Sequence, residues 1–312
     1  MKIQTPLIEK RGLKQLIQLD KPFTFNTSKT LSLKVYPDSR PKILEIASLQ
    51  KGLVLLANGL ELIEEGAGFG VPVLKYSDMT FFSRTATVWF KEQDKKTALI
   101  MKVFSLDSVS KKQVRGAFIN DGLYSVFHKT FENAYLRHGK LRSIFDWIMR
   151  LRRRLGIETH FAKVTPRGKV TVYYHCFPDQ ITVIADFSEV DMTSLQEILI
   201  LNEQGATFFR KNRKGNLVLQ DKKIGAWIRV NTKHAEFSDL EEHFSFSMEN
   251  KNGTILYCGW EQVKDSLSWA GMTYALSPRT SLFTYTIQLK ENLIPKPLRN
   301  KSVCGLLSSD NK

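Results

Sequence analysis

Apolar and polar residues alternate with a period of two along most of this chain. The clearest alternation covers residues 31–36, 169–177, 180–187 and 281–289. Further short apolar runs bounded by turn residues occupy 43–47, 80–90, 96–106, 113–127, 197–202, 206–210, 216–219, 224–230, 242–248, 254–261 and 268–276. Such alternation is typical of strands with one buried face, and many short strands in close succession favour a sandwich or barrel. We therefore predict a mainly β protein: a large antiparallel β-sandwich.

Two neighbouring segments have distinct turn chemistry. Residues 53–65 predict a hairpin, because Asn58-Gly59 separates two apolar runs. Residues 66–73 follow with three glycines and one proline. Glycines at this density predict a loop with unusual backbone angles, and the alternative is a β-bulge or a corner within a strand.

One segment departs from the β pattern. Apolar residues in 140–156 recur three and four positions apart, which predicts a single amphipathic helix that ends at Gly156. Its last turns carry Arg150, Arg152, Arg153 and Arg154. The helix either covers an open end of a sheet or makes peripheral contact with an anionic membrane surface, with Trp147 near the interface.

The domain organisation follows from these patterns. Residues 1–293 are predicted to form one large β-sandwich domain, with a two-lobe split near residue 156 as the alternative. Residues 294–312 contain Pro295 and Pro297 among polar residues and are predicted to form a flexible tail.

The net charge and the spacing of cysteines and histidines limit the classes of partner and cofactor that the sequence supports. The net charge of +15 and the isoelectric point near 9.6 favour anionic partners, and the alternative is a generally basic surface that keeps the protein soluble. The chain has no sequence-specific nucleic-acid motif and no metal-type spacing among its six histidines and three cysteines. No apolar run is long enough for a transmembrane segment, and the N-terminus lacks a signal-peptide pattern. These features predict a cytoplasmic protein, with no metal motif and an unknown cofactor.

The strand pattern of residues 30–290 resembles two groups of proteins. Phe177–Asp179 predicts a turn and Ile181–Phe187 the next long strand. This succession is similar to the galactose mutarotase-like super-sandwich of sugar epimerases and of polysaccharide lyase and glycosidase β domains. That resemblance implies a His acid and a Glu base on facing strands. The pattern also resembles the two-lobed, lipocalin-like hydratases and cyclases that act on isoprenoids and polyketides.

Five residues are candidates for proton transfer. Carboxylates beside a glycine-rich turn or at a strand end can act as general acids and bases, and a histidine titrates near neutral pH. These candidates are Glu64, Glu65, His175, Glu203 and Glu261. The structural alternatives are solvated glutamates at strand ends, a plain turn after Asn202, and a half-exposed sheet face.

Six further residues are candidates for substrate binding. Aromatic and charged side chains that share a sheet face suit a sugar, because rings stack on pyranose faces and charges bind hydroxyl or carboxylate groups. These candidates are Arg84, Asn202, Trp227, Arg229, Tyr257 and Trp269.

Three functional hypotheses follow. The first is a carbohydrate-active or carbohydrate-binding protein, a sugar isomerase or polysaccharide lyase with a neutral or anionic glycan as partner. The second is a lipocalin-like hydratase, cyclase or isomerase with an apolar cavity that contains one or two carboxylates. The third is a non-catalytic β-sandwich interaction module with no deep pocket.

Overall fold

A computed structural model confirms the predicted β class. It describes residues 16–37, 49–64, 66–94, 97–114, 117–118, 157–220, 225–263 and 267–292. For 112–114, 117–118, 157–160, 220, 225–227, 261–263 and 267–268 the description covers the backbone alone. All regular elements in these ranges are strands, and every strand pair in them is antiparallel.

The strands are numbered in chain order. The first twelve are β1 (Ile17–Leu19), β2 (Phe23–Asn26), β3 (Leu31–Val35), β4 (Val54–Ala57), β5 (Leu60–Glu61), β6 (Gly68–Tyr76), β7 (Thr80–Phe82), β8 (Thr85–Asp94), β9 (Thr97–Ser105), β10 (Ser108–Val114), β11 (Ala117–Phe118) and β12 (Ile157–Lys163). The others are β13 (Lys169–Cys176), β14 (Gln180–Asp186), β15 (Leu195–Gln204), β16 (Lys211–Lys214), β17 (Leu217–Gln220), β18 (Gly225–Arg229), β19 (His234–Ser238), β20 (Phe244–Glu249), β21 (Ile255–Val263), β22 (Leu267–Leu276) and β23 (Leu282–Glu291).

The strands form three sheets. A ten-stranded sheet has the order β1-β8-β9-β13-β14-β23-β20-β19-β16-β17. A nine-stranded sheet has the order β11-β10-β7-β6-β15-β22-β21-β18, with β12 also paired to β10. A four-stranded sheet has the order β2-β3-β4-β5. Both large sheets mix strands from the two sides of residue 156, but the one-domain prediction itself stays a prediction.

The two large sheets pack face to face, as in a sandwich. In β14, Ile181, Val183 and Ala185 are fully buried, whereas Thr182 between them is half-buried. Hydroxyl groups cross the interface, because Tyr174 of β13 donates to Phe69 O and Tyr285 of β23 donates to Asn202 Oδ1. Burial of the apolar side of each strand is the main stabilising contribution to such a core.

The four-stranded sheet is attached to the rim of the sandwich. Leu53 bridges to Phe69 of β6, and the Gln204 amide binds the main chain of Leu53 and Leu55. Lys102 of β9 is completely buried and donates to the carbonyl oxygens of Tyr36 and Lys51, each at 2.7 Å. These contacts hold the segment before β4 against the large sheets.

The glycine-rich segment corrects one prediction. The loop predicted for 66–73 is wrong for most of its length, because β6 begins at Gly68 and is buried. The bulge alternative is confirmed: the β6–β15 register shifts between Leu201 and Asn202, which leaves Gly70 as the extra residue. Gly70 has a φ of 79°, and a Cβ there would lie 2.7 Å from the Tyr174 ring. The glycines thus serve a bulge inside a core strand.

Two further strand predictions are wrong. Residues 206–210 form turns on Gly205, because the amides of Phe208 and Phe209 both donate to its carbonyl oxygen. Phe209 is buried against Phe246 without belonging to a strand. The single strand predicted for 80–90 is divided at Ser83-Arg84 into β7 and β8.

Several predictions lie outside the described residues. These are the strand at 43–47, most of 113–127, the helix at 140–156 and the tail at 294–312. No helix in the described ranges is long and apolar enough to cross a membrane.

Candidate functional site

The register of the nine-stranded sheet gathers candidate residues on one side. Residues that pair directly across strands lie on the same side of a sheet. One row joins Val71, Leu201, Thr273, Tyr257 and Arg229, and the neighbouring row joins Gly68, Glu203, Gly271 and Gly259. Asn202, one residue along β15, reaches Tyr285 inside the sandwich. The two rows therefore lie on the side that faces away from the ten-stranded sheet, here called the outer face.

A cavity of about 150 Å³ lies at the β7–β15 end of the outer face. Its apolar lining residues are Leu49, Ala67, Val71, Phe82, Phe161 and Leu201. Its polar lining residues are Gln50, Lys51, Ser83 and Glu203. Phe82 and Phe161 meet edge to face with ring centroids 5.1 Å apart. The cavity therefore combines a mainly apolar wall with one carboxylate and one amine.

Glu203 is held at this cavity by the ends of two strands. Glu203 is only 8% exposed, and its Oε2 accepts a hydrogen bond of 3.0 Å from the Ala67 amide. Gly271 is paired with Glu203, and a Cβ at Gly271 would lie 2.1 Å from Asn202 O. Since Glu203 is paired with Gly68 of β6 and with Gly271 of β22, neither neighbouring strand places a side chain directly beside Glu203.

Gln50, one of the lining residues, carries a buried acceptor without a partner among the described residues. Its Nε2 donates to Arg84 O at 3.0 Å, which fixes the orientation of the amide, because a carbonyl oxygen accepts only. The Oε1 atom is shielded from solvent and has no hydrogen-bond partner among the described residues. A buried acceptor left unpaired costs about 1–3 kcal/mol. A ligand or water molecule that donates a proton to Oε1 would recover that free energy.

Two cations border the same region. Lys51 is buried, and its Nζ donates to Gly66 O at 2.6 Å. Arg84 follows the lining residue Ser83, and its Nη1 donates to Phe161 O at 2.9 Å. The Arg84 amide donates to Asp107 Oδ1 at 2.7 Å. The structure thus places Arg84 next to the cavity, with its guanidinium group bound to main chain of β12.

The paired glutamates before the glycines are only partly described. Glu64 is half-buried, and its Oε2 is shielded from solvent with no hydrogen-bond partner among the described residues. Its main chain lies against Gly205, directly after the strand that carries Glu203. Glu65 lies outside the described residues.

Asn202 has a structural role in the core of the sandwich, and its assignment to substrate binding stays a prediction. It is fully buried between the large sheets, where Oδ1 accepts hydrogen bonds from the Gly70 amide at 3.0 Å and the Tyr285 hydroxyl at 2.8 Å. Its Nδ2 donates to Ile200 O at 3.2 Å. Burial raises the pKa of Tyr285 well above its usual range, which keeps the hydroxyl group neutral as a donor.

The remaining candidates on β18, β21 and β22 lie along the same sheet. Tyr257 and Trp269 are half-buried, and Arg229, paired with Tyr257, is exposed. Trp269 lies two residues before Gly271 and therefore shares the outer face. Glu261 pairs with Trp269 in the register. The side chains of Glu261 and Trp227 lie outside the description.

His175 lies on the opposite side of the molecule from Glu203. It follows Tyr174, whose hydroxyl group points into the sandwich, so His175 faces away from the nine-stranded sheet. Partial burial lowers its pKa, and its Nε2 has no hydrogen-bond partner among the described residues. Packed sheets are about 10 Å apart. With the sandwich between them, the structure does not bring His175 and Glu203 together, and the predicted Glu–His proton transfer stays a prediction.

Sequence reasoning missed the other half of the cavity. Gln50, Lys51, Phe82 and Phe161 come from separate places in the chain and have no shared motif. Period-two parity would have revealed buried Lys102, which follows Ala98 and Ile100 on the inner face of β9. Parity within one strand could not have shown which segments border Glu203.

No family model matches the chain, and no curated protein matches it significantly in sequence. Among the described residues, the potential ligand atoms of Asp239, Glu241 and His243 lie within 4.8 Å of one another, on the β19–β20 loop of the ten-stranded sheet.

Proposed function

We propose that the protein binds the end of a hydrophobic small molecule in the Glu203 cavity and catalyses addition or removal of water there. The observation that carries the proposal is a mainly apolar cavity that is lined by the Glu203 carboxylate and by Gln50, whose Oε1 has no hydrogen-bond partner among the described residues. This combination supports the hydratase hypothesis more than a sugar site, because a sugar presents hydroxyl groups on every side and needs many polar partners.

The size of the cavity limits what enters it. Apolar cavities of roughly 150 Å³ accommodate a benzene-sized group, whereas sites for whole drug-sized ligands are about 300–1,000 Å³. One five-carbon isoprene unit therefore fits, and the rest of a longer chain would extend along the outer face. Val71, Leu201, Phe82 and Phe161 would contact the hydrocarbon.

The polar groups would share the chemistry. In its acid form the Glu203 carboxyl group donates its proton to one alkene carbon, and positive charge develops on the adjacent carbon. A water molecule hydrogen-bonded to Gln50 Oε1 forms the new C–O bond, and its proton returns to the Glu203 carboxylate. The reverse sequence removes water from an alcohol. A positioned carboxyl group contributes about 10²–10⁴-fold to such a rate.

The test uses a branched five-carbon allylic alcohol, prenol, and a linear monoterpene alcohol as probes. Deuterium incorporation at the alkene from D₂O, followed by mass spectrometry, measures protonation of the substrate. We expect incorporation with the unmodified protein and a loss of about 100-fold or more in Glu203→Gln, because the amide cannot donate a comparable proton. Gln50→Met should keep hydrocarbon binding and weaken exchange about tenfold.

Glu197→Gln is the matched control. Glu197 lies on the same strand and the same side of β15 as Glu203, but it forms an ion pair with Lys75 at 2.8 Å and does not line the cavity. Its substitution should leave exchange unchanged. Binding of neither alcohol, or equal exchange in Glu203→Gln and the unmodified protein, would contradict the proposal.

A glycan-binding role is the second candidate, favoured by the position of Tyr257, Trp269 and Arg229 on the outer face. A glycan array tests it directly. Binding to a neutral or acidic glycan that disappears in Trp269→Ala would support it, since ring stacking supplies the affinity in such sites. Absence of binding to every glycan on the array would contradict a glycan-binding role.

A further inference from the structure

The loop between β19 and β20 brings three ligand-type side chains together. Nδ1 of His243 lies 3.0 Å from Asp239 Oδ2 and 3.4 Å from Glu241 Oε2, and the three atoms lie within 4.8 Å of one another. Asp239 and His243 are four residues apart and Glu241 lies midway between them. The sequence shows no classical metal spacing here, so the loop conformation creates the cluster.

The contact at His243 is not a hydrogen bond. Nδ1 is shielded from solvent and has no hydrogen-bond partner among the described residues, although Asp239 Oδ2 is at contact distance. Two ligand atoms that each bind one ion at about 2.1 Å are separated by about 3.0 Å at a right angle and about 3.4 Å at a tetrahedral angle. Both observed separations match these values.

The loop is held in place by contacts outside the cluster. Asp239 Oδ1 accepts a hydrogen bond of 3.0 Å from the Phe244 amide, which leaves Oδ2 directed to His243. The Asn292 amide donates to His243 O at 2.8 Å. A site whose ligands are positioned before the ion arrives loses less conformational entropy on binding.

Glu242 is excluded from the cluster by its own partners. Its carboxylate accepts from Lys211 and from Arg213, the latter at 3.0 Å, and the Lys211 hydrogen bond lowers its pKa. Glu242 therefore stays anionic and bound to β16. The left-handed φ of 58° at Glu242 turns the chain so that Glu241 and His243 face Asp239.

We propose that Asp239, Glu241 and His243 bind a divalent transition-metal ion of the Zn²⁺ type. One imidazole nitrogen and two carboxylate oxygens suit Zn²⁺, whereas Ca²⁺ takes six to eight oxygen ligands and Mg²⁺ is bound mainly by oxygen and water. The Glu241 side chain is 72% exposed, so solvent reaches that side and a water molecule supplies the fourth ligand. This site does not rest on the proposed function of the Glu203 cavity.

The experiment titrates Zn²⁺ into the chelator-treated full chain by isothermal titration calorimetry. We expect one ion per chain, no comparable heat with Mg²⁺, and a visible absorption band when Co²⁺ replaces Zn²⁺. Glu241→Gln and His243→Ala should each weaken Zn²⁺ binding at least tenfold, the order of effect that even an indirect ligand partner has. The Glu241→Gln variant should fold normally, because the Glu241 side chain is mostly exposed. Weaker Zn²⁺ binding by this variant therefore would not result from misfolding.

His234→Ala is the matched control, since His234 is an exposed histidine at the start of β19 and outside the cluster. It should bind Zn²⁺ as the unmodified protein does. Equal affinity in His243→Ala and the unmodified protein would overturn the proposal. No binding of Zn²⁺ by the unmodified protein would also overturn it and leave His243 as an ion-pair partner of the two carboxylates.

Discussion

Asn202 and Glu203 are consecutive residues whose side chains lie on opposite sides of β15. On the inner side, Asn202 Oδ1 accepts two hydrogen bonds and Tyr174 donates to the β6 main chain, so the polar groups satisfy one another. On the outer side, Glu203 borders a cavity that is also lined by Gln50, whose Oε1 has no hydrogen-bond partner within the described part of the chain. A buried polar residue supports the fold where all its hydrogen-bonding groups have partners. Where one of these groups has no partner, it indicates a place for a ligand.

The largest expected effect is on the inner side. Asn202→Ala leaves the Gly70 amide and the Tyr285 hydroxyl without an acceptor in the core, at about 1–3 kcal/mol each. We expect the free energy of unfolding in urea to fall by about 4 kcal/mol. Glu203→Gln should lower it by less than about 1 kcal/mol, because the amide oxygen can still accept from Ala67. Equal losses in the two variants would abolish the distinction between the two sides of β15.

The next largest effect concerns the β-bulge at Gly70, where the register between β6 and β15 shifts. Gly70→Ala places a Cβ 2.7 Å from the Tyr174 ring at a φ of 79°. Overpacking and the left-handed conformation together should cost about 3 kcal/mol. Gly59→Ala is the control, since Gly59 has a φ of 78° and a Cβ there would have no atom within 4 Å. It should cost about 1 kcal/mol. Thermal unfolding measures both, and similar losses would show that sterics at Tyr174 contribute nothing.

Period-two alternation predicted most of the sheet framework. The strands at β13, β14, β22 and β23, and the hairpin at Asn58-Gly59, follow directly from it, because one face of each strand is apolar. It failed at residues 206–210, where apolar side chains are buried from a turn, and at Gly68–Val73, where glycines serve a bulge. A local sequence pattern indicates that a side chain is buried or that the backbone needs an unusual conformation. It does not show whether a strand, a bulge or a turn provides that burial or conformation.

The candidate site was only partly predictable for the same reason. A polar cluster at a strand end pointed to Glu203, and parity on β21 and β22 pointed to the side carrying Tyr257 and Trp269. Asn202 lies on the other side of β15 from Glu203, because consecutive strand residues face opposite sides. Gln50 and Phe161 lie more than 100 residues apart in the chain, so only the tertiary fold could bring them together.

Alkaline pH separates the inner side from the outer side in another way. Burial raises the pKa of Tyr174 and Tyr285 well above the usual value near 10. Below about pH 10 both tyrosines are neutral in the folded and unfolded states, so they add no pH dependence. Above it the unfolded chain releases their protons first, and stability falls by at most about 1.4 kcal/mol per pH unit for each tyrosine.

Urea unfolding between about pH 9 and about pH 11 measures this loss. Tyr285→Phe removes one of the tyrosines with a raised pKa, so the slope of stability against pH should become shallower even though the variant is less stable at neutral pH. Glu203→Gln, on the outer side, should leave the slope in this range unchanged, because a carboxyl group titrates far below it. An unchanged slope in Tyr285→Phe would mean that its hydroxyl group ionises as easily in the folded state as in the unfolded chain.

The smallest expected effect is the sharpest test of the outer side. Gln50→Met has nearly the same length and removes both the unpartnered Oε1 and the Nε2 bond to Arg84 O. Loss of one hydrogen bond and relief of one buried unpaired acceptor oppose each other, so the free energy of unfolding should change by less than about 1 kcal/mol. Asn202→Leu, a similar polar-to-apolar change on the inner side, should cost several times more, because its former donors stay buried. A large loss in Gln50→Met would show that Oε1 already has a stabilising partner, such as a bound water, and that the cavity has no bonding capacity reserved for a ligand.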